Sequence, residues 1–343
     1  MQSPLLLSPQ GIRAASGADN LIFNGEFLVA QPRQAPVGSS YYPVDGWYYS
    51  NGSTAAHTVT VDSTDAPTVS QSGLFTLNNL RARVSTAKAT LGTSDFVGLW
   101  QSIEGYFFQE IAQQTFTLSF WVKSTVSGTY CVAFRNAGND ASYVTEYTIN
   151  AANTWEYKTI VVPPSPATGT WNYTTGRGLN IVWTLANGVT ANNTTPGSWV
   201  TGNKLSTANQ VNHVAALNND FKLALVKLQP GSMATPFARR SFPRELALAQ
   251  RYYNAQNIKW GTDKVSLSRA DQWFDFPAPM RIAPTVVVND GTTNGAIMNT
   301  SYSTSVSATA FAITTLGFGI VPAVAIANAS NLSMWYYASA ETP

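Results

Sequence analysis

The run Phe116-Thr117-Leu118-Ser119-Phe120-Trp121-Val122-Lys123 alternates apolar and polar side chains with a period of two. On an extended backbone that spacing sends successive side chains to opposite faces, so Phe116, Leu118, Phe120 and Val122 line one side of a sheet. Thr58-Val59-Thr60-Val61-Asp62 and Leu80-Arg81-Ala82-Arg83-Val84 repeat the pattern. Residues 130–135, 144–149, 156–162, 179–185 and 221–229 read as further strands, punctuated by Gly/Asn/Asp turns such as Asn136-Ala137-Gly138-Asn139-Asp140. Many short strands with almost no helical periodicity predict an all-β chain, a sandwich or jelly roll, and exclude an α/β fold.

At 343 residues the chain is long enough for two such units, each with its own core. Charged residues are only 11% of it, against roughly 25% in ordinary soluble domains. Ser, Thr and Asn must then cover much of the surface, which suits faces that pack against copies or neighbours, because hydroxyls and amides cost less to bury than ions. A net charge of +2 without a run of like charges argues against a nucleic-acid partner. The single cysteine, Cys131, excludes an internal disulfide, and its strand-like setting predicts a buried free thiol. No segment has the roughly 18 consecutive apolar residues of a membrane helix, and Met1–Pro9 lacks the basic start and apolar core of a secretory signal. The expectation is synthesis in a cytoplasm and no membrane insertion.

Four regions follow. Residues 1–20 read as an extended attachment arm, 21–235 as the first sandwich, 236–257 as an arm and short helix, and 258–343 as a second β-sandwich. The helix is expected over 244–253, where Leu246, Leu248, Ala249 and Tyr252 form an apolar stripe and Pro243 suits the first turn. Strands are expected at 264–267, 273–276, 285–288, 308–313 and 332–337. The Gly-rich apolar stretch 316–327 is a candidate for contacts between copies.

Leu21-Ile22-Phe23-Asn24-Gly25-Glu26-Phe27, Asp45-Gly46-Trp47-Tyr48, the 116–123 strand followed by Gly128-Thr129-Tyr130, and Leu223-Ala224-Leu225-Val226-Lys227-Leu228 resemble, in order and spacing, the carbohydrate-binding-module jelly rolls of the 4/9 superfamily. The likeness covers residues 20–235. The segment from Leu228-Gln229-Pro230-Gly231 through Tyr252-Tyr253 resembles the end of such a jelly roll in bacteriophage virion appendage proteins of the tail-fibre or head-fibre kind. Pro279-Met280-Arg281-Ile282-Ala283-Pro284-Thr285-Val286 is similar to a strand entry of their small C-terminal sandwiches. The resemblance implies a virion protein assembled in the host cytoplasm, joined to other virion proteins through residues 1–20, self-associating as a homotrimer and attaching to host surface polysaccharide. It also implies a structural calcium ion near the first and last strands, for which Asn24 and Glu26 are the candidates, although the last strand reads Ala224-Leu225-Val226 where the family commonly has Asp.

Ten Trp, 15 Tyr and 16 Phe supply rings that can stack on the C–H face of a sugar. Trp47, Tyr48 and Tyr49, preceded by Tyr41-Tyr42, must point alternately to the two faces of a strand, so they are glycan-binding candidates together with Trp100, Trp171 and Trp199 in turn-rich surroundings. Against this, Trp47, Trp121, Trp155 and Trp183 read as filling the sandwich core. Arg239, Arg240, Arg244 and Arg251 have the planar fork that holds a junction or interface, alongside Leu246 and Tyr252. Glu104, Glu110, Asp140, Glu146 and Asp271 lie near aromatics, but none sits in an acid/base motif. His57 reads as a surface or strand-end residue and His213 as a hydrogen-bonded loop or strand residue, neither with metal-ligand spacing. The residues point to a non-enzymatic, receptor-binding structural protein without cofactor. A ligand-free capsid decoration or collar protein and a polysaccharide-degrading enzyme with a binding module remain the alternatives.

Overall fold

The computed structural model describes residues 20–35, 38–192, 195–260, 272–300, 303–323 and 331–341; most of the arm, the 264–267 strand, Asp271 and residues 324–327 lie outside them. The chain is all-β. The first sandwich contains β1 (Tyr41–Val44), β2 (Trp47–Asn51), β3 (Ala56–Asp62), β4 (Asn79–Thr86), β5 (Phe96–Glu104), β6 (Phe116–Ser124), β7 (Gly128–Asn136), β8 (Ala141–Ile149), β9 (Glu156–Val162), β10 (Arg177–Asn187), β11 (Trp199–Thr201) and β12 (Asp220–Pro230). A seven-stranded sheet runs β1-β2-β5-β10-β7-β8-β11, and a five-stranded sheet β3-β4-β12-β6-β9 faces it.

The alternation in β6 does what the sequence requires: Phe116, Leu118, Phe120 and Val122 are fully buried between the sheets. Its partner β12 has a phase problem, because Leu223 and Val226 both face the core although an odd spacing should separate them. A register shift between Ala224 and Lys227 solves it, with Leu225 as the extra residue at φ 48°. The same bulge receives the start of the domain. Val226 N–H donates to Gly25 O at 2.9 Å, and a Cβ on Gly25 would stand 2.2 Å from Val226 O, so only glycine allows the approach. Residues 21–27 therefore dock as a bent segment rather than forming the first strand.

β5 was not visible in the sequence. Val97, Leu99 and Ile103 are buried on its inner face, while Phe96 and Trp100 stand on the outer one, so apolar groups on both sides erase the period-two signal. Of the tryptophans assigned to the core, Trp47 and Trp183 are there. Trp121 instead packs on Tyr157 outside the five-stranded sheet, and Trp155 is buried with its Nε1 donating to Asp65.

The helix spans Phe242–Gln250, with Pro243 in its first turn. It ends before Tyr253, which opens β13 (Tyr253–Trp260), so residues 253–257 belong to the second unit rather than to the junction. That unit continues with β14 (Gln272–Asp275), β15 (Thr285–Asn289), β16 (Ala296–Asn299), β17 (Thr304–Phe311), β18 (Gly317–Pro322) and β19 (Leu332–Ser339). Its ladder runs β13-β19-β16-β17-β18-β14, with β15 also paired to β19. Leu332, Met334, Tyr336 and Ala338 of β19 meet Phe318 and Ile320 of β18 in the core. The 316–322 part of the stretch expected between copies is therefore largely an internal strand.

Charged contacts tie the two units together. Arg33 grips Glu341 with both Nη atoms, at 2.9 and 2.8 Å, while its guanidinium lies 3.9 Å over the Tyr253 ring. Arg281 Nε and Nη2 donate to Ala340 O, and its Nη1 reaches Thr175 O across the boundary.

Candidate functional site on the outer face of the seven-stranded sheet

Strand register lays the outward side chains in rows across the sheet. Tyr48, Trp100, Val182, Ala133 and Val144 are successive cross-strand partners, and Ser102, Asn180, Arg135 and Ser142 form the neighbouring row. On the other side Ser50, Gly98, Thr184, Cys131 and Glu146 align. The rings join into a track: Tyr42 to Tyr48 at 4.9 Å, Tyr48 to Trp100 at 5.9 Å and Phe96 to Trp100 at 5.8 Å between centroids.

Loop residues around the rings turn this face into a cleft. Ser50–Gly52, Thr93–Ser94, Asn187, Thr190, Ala191, Asn203 and Leu205 line it, enclosing about 360 Å³ with Phe96, Trp100 and Arg135. Gly98 keeps the floor low, since a Cβ there would lie 2.8 Å from the Phe96 ring and 3.0 Å from Trp183 O. At the far end of the track Tyr42 enters a second groove of about 520 Å³, shared with Arg33, Tyr41, Tyr253 and Tyr337.

The polar groups of this face are unusual in what they lack. Arg135 is 2% exposed; its Nη1 donates to Asn203 Oδ1 at 2.6 Å, and its guanidinium carbon lies 4.4 Å over the Trp100 ring. Among the described residues its Nε and Nη2 find no acceptor, nor do Trp100 Nε1, the Tyr42 hydroxyl and Asn180 Nδ2, and Asn180 Oδ1 finds no donor. Native proteins leave few buried polar groups unsatisfied. Burial, with the nearby Arg177 adding repulsion, pulls the Arg135 guanidinium down to about 9. Cys131 is the buried thiol the sequence predicted, pushed up to about 11 by burial and touching Thr207.

Of the glycan candidates, the structure brings Tyr48 and Trp100 together on this face. Trp47 and Tyr49 are corrected: they point inward, 0% and 1% exposed, where Trp47 Nε1 donates to Asn24 O and the Tyr49 hydroxyl bonds His57. Trp171 and Trp199 belong to a different cluster. Trp171 stacks on Phe108 at 5.0 Å and meets Trp199 edge-on, with their Nε1 atoms donating to Thr168 O and Pro163 O. Tyr42, Phe96, Arg135 and Asn180 were missed. The signal for Arg135 was present, because Cys131, Ala133 and Arg135 are the alternate face of the predicted 130–135 strand.

The calcium candidates are committed elsewhere. Asn24 uses its amide on Val29 and Asp45 backbone groups, and Glu26 accepts from Arg239 Nε at 2.7 Å. Arg240 reaches Ile22 O, Asn20 O and Glu245, so guanidinium groups serve the carbonyls and carboxylates that a cation would need. Among the described residues no group of three or more His, Cys, Asp or Glu side chains could hold a metal.

The other junction residues converge. Leu246 packs on the Phe23, Val29, Ala249 and Tyr252 cluster, and Tyr252 stacks flat on Phe23 at 4.8 Å. Arg244 stands on the same helix. Arg251 and the Tyr252 hydroxyl both bind Glu104, which is 2% exposed. Asp140 is bonded to Thr170 and Asn136, and Glu146 to Thr207 and Asn209; Glu110 lies in the turn after Phe108. His57 is not at the surface. It is buried and stacks on buried His213 at 5.5 Å, the two rings joined by a 3.3 Å nitrogen contact.

No family model matches the sequence, and no curated protein matches it. Among solved structures the chain is similar to the enzymatically active domain of bacteriophage CBA120 tailspike protein 4, at 15% identity over 63% of this chain with a TM-score of 0.35; the match spans 22% of that chain. It is similar to a family 11 carbohydrate-binding module from Clostridium thermocellum at 13% identity, over 57% of this chain and 97% of that one, with a TM-score of 0.31. A CBM4 structure is similar at 12% identity, over 55% of this chain and 88% of that one, with a TM-score of 0.30.

Proposed function

We propose that this chain is a non-catalytic virion protein of a bacteriophage fibre or appendage that binds host-surface glycan along the outer face of the seven-stranded sheet. The observation that carries the reading is the Tyr42–Tyr48–Trp100–Phe96 track beside polar atoms without partners. Flat rings stack on pyranose C–H faces, and unpaired amide and guanidinium groups take the hydroxyls, in a cleft within the ~300–1,000 Å³ range of small-ligand sites. Glu104 favours binding over cleavage, because Arg251 and Tyr252 hold both of its oxygens.

Single-site affinity is weak in this design, so attachment depends on several copies acting together. We assign self-association, as a homotrimer, to the second unit, a reading supported by exposed Phe311 and Trp273, which both flank Gly319, and by exposed Leu316. Residues 1–20 join the assembly to other virion proteins.

The test is a polysaccharide array followed by titration calorimetry on the wild type and Trp100→Ala. Binding in the wild type, weakened at least ~10-fold in the variant by loss of a stacked ring, is the expected result. An array without a bound polysaccharide overturns the reading.

A further inference from the structure

Two arginines of this protein hold carboxylates with the Nε/Nη2 edge, whereas Arg33 uses both Nη atoms on Glu341. Arg81 grips Asp220 through Nε and Nη2, with Nε–Oδ1 at 2.9 Å and Nη2–Oδ2 at 2.6 Å. Arg251 grips Glu104 the same way, with Nε–Oε2 at 3.0 Å and Nη2–Oε1 at 2.7 Å. In Arg135 these same two nitrogens are the ones left without an acceptor, and among the described residues no carboxylate pairs with it. The carboxylate of these outward rows, Glu146 across from Cys131, is taken by Thr207 and Asn209, and Asp95, next to Phe96, is paired with Lys88 at 2.7 Å.

A buried guanidinium without a counter-charge is costly, and nothing in the packing makes it necessary here. Its neighbours are Trp100, stacked on its plane, and Asn203, an exposed side chain that holds Nη1. Both line the cleft. The edge is shielded from bulk water, where a charge-assisted bidentate pair is worth most. An oxygen pair that reaches Nε and Nη2 gains that interaction while Asn203 keeps Nη1, whereas a neutral sugar leaves the charge unmatched.

We infer that the cleft selects carboxylated saccharides, of the uronic-acid kind, through bidentate pairing of the sugar carboxylate with Nε and Nη2 of Arg135 while the ring stacks on Trp100. This inference rests on the glycan-binding reading above and adds the class of sugar.

The experiment uses the full chain and matched pairs of polymers: uronate-containing polysaccharides, the same polysaccharides after chemical reduction of their carboxyl groups to alcohols, and a phosphodiester-linked polymer. The expected result is wild-type binding to the uronates at least ~10-fold tighter than to their reduced counterparts, with that preference lost in Arg135→Gln and partly kept in Arg135→Lys. Trp100→Ala weakens both members of a pair alike. Because the matched polymers put the question to the unmodified protein, a variant that fails to fold does not decide it. Equal binding to uronate and reduced polymer overturns the inference and leaves glycan binding standing; binding of the phosphodiester polymer in place of uronates overturns the carboxylate assignment. Binding of no polysaccharide overturns both readings.

Discussion

Glu104, at the end of strand β5, receives both Nε and Nη2 of Arg251 and the hydroxyl of Tyr252, so one buried carboxylate fastens the helical junction to the first sandwich. The bond places the beginning of β13 at the end of strand β5 in the seven-stranded sheet that carries the cleft. It also determines what loss of the carboxylate does. Glu104→Ala strands a buried guanidinium, and breaking such a pair costs about 3–5 kcal/mol. Chemical denaturation should show a shift in unfolding free energy of that size, and replacing Arg251 by Met in the same chain should recover most of it. A shift below ~1 kcal/mol would show that water replaces the carboxylate at the junction.

The His57–His213 stack makes stability depend on pH. Burial holds His57 down to about 3 and His213 to about 4, and the two rings repel when charged. The unfolded chain takes up these protons near the ordinary histidine value of about 6.5 and the folded one does not, so the stabilisation is present above about 6.5 and is lost as pH falls toward 4. Glu341 acts in the opposite sense: burial raises it to about 7 against the pull of Arg33, so its contribution falls as pH rises from about 4.5 to 7. The measurement is therefore a difference. Between pH 7 and 4.5 the wild type should lose a few kcal/mol more stability than His213→Phe, which keeps a ring and removes the His213 titration while His57 stays. Parallel pH profiles for the two proteins would rule the mechanism out.

Strands with one apolar face were legible in the sequence, and the functional face was hidden for the same physical reason. β6 reads plainly because Thr117 and Ser119 alternate with core residues. β5 does not, because Trp100 and Phe96 on the cleft side are as apolar as Leu99 and Val97 on the core side. A sheet that uses its second face for binding loses the contrast that reveals a strand. Likewise Trp47 and Tyr48 are adjacent and equally aromatic, and only the phase of β2 decides that Trp47 is core and Tyr48 is cleft. The junction arginines were legible as a group, whereas Glu26 and Glu104, read from sequence as a calcium candidate and a carboxylate near aromatics, become their partners only through the fold.

The helix should behave as a clamp. Leu246 sits in the cluster formed by Phe23, Val29, Ala249 and Tyr252, so Leu246→Asp places a carboxylate among apolar groups and costs roughly 2–4 kcal/mol of docking. Scanning calorimetry should resolve two transitions where the wild type gives one, the first sandwich keeping the higher. A single unshifted transition would make the helix a linker.

Gly98 offers a way to perturb the cleft with little effect on the core. Its Cβ position lies 2.8 Å from the Phe96 ring, 3.0 Å from Trp183 O and 3.3 Å from Trp100 Nε1, and its φ is not in the left-handed region that only glycine favours. Alanine there is a steric change alone. The backbone oxygen belongs to the central strand β10 and yields little, so the two rings must move, and they are the rings proposed to stack on sugar. Gly98→Ala should lower glycan affinity by at least ~10-fold, equivalent to about 1.4 kcal/mol, while costing about 1 kcal/mol of stability or less. Titration calorimetry with the polymer bound by the wild type, run beside thermal unfolding, separates the two quantities. Unchanged affinity would place the sugar away from Trp100 and Phe96, toward the Tyr42 groove.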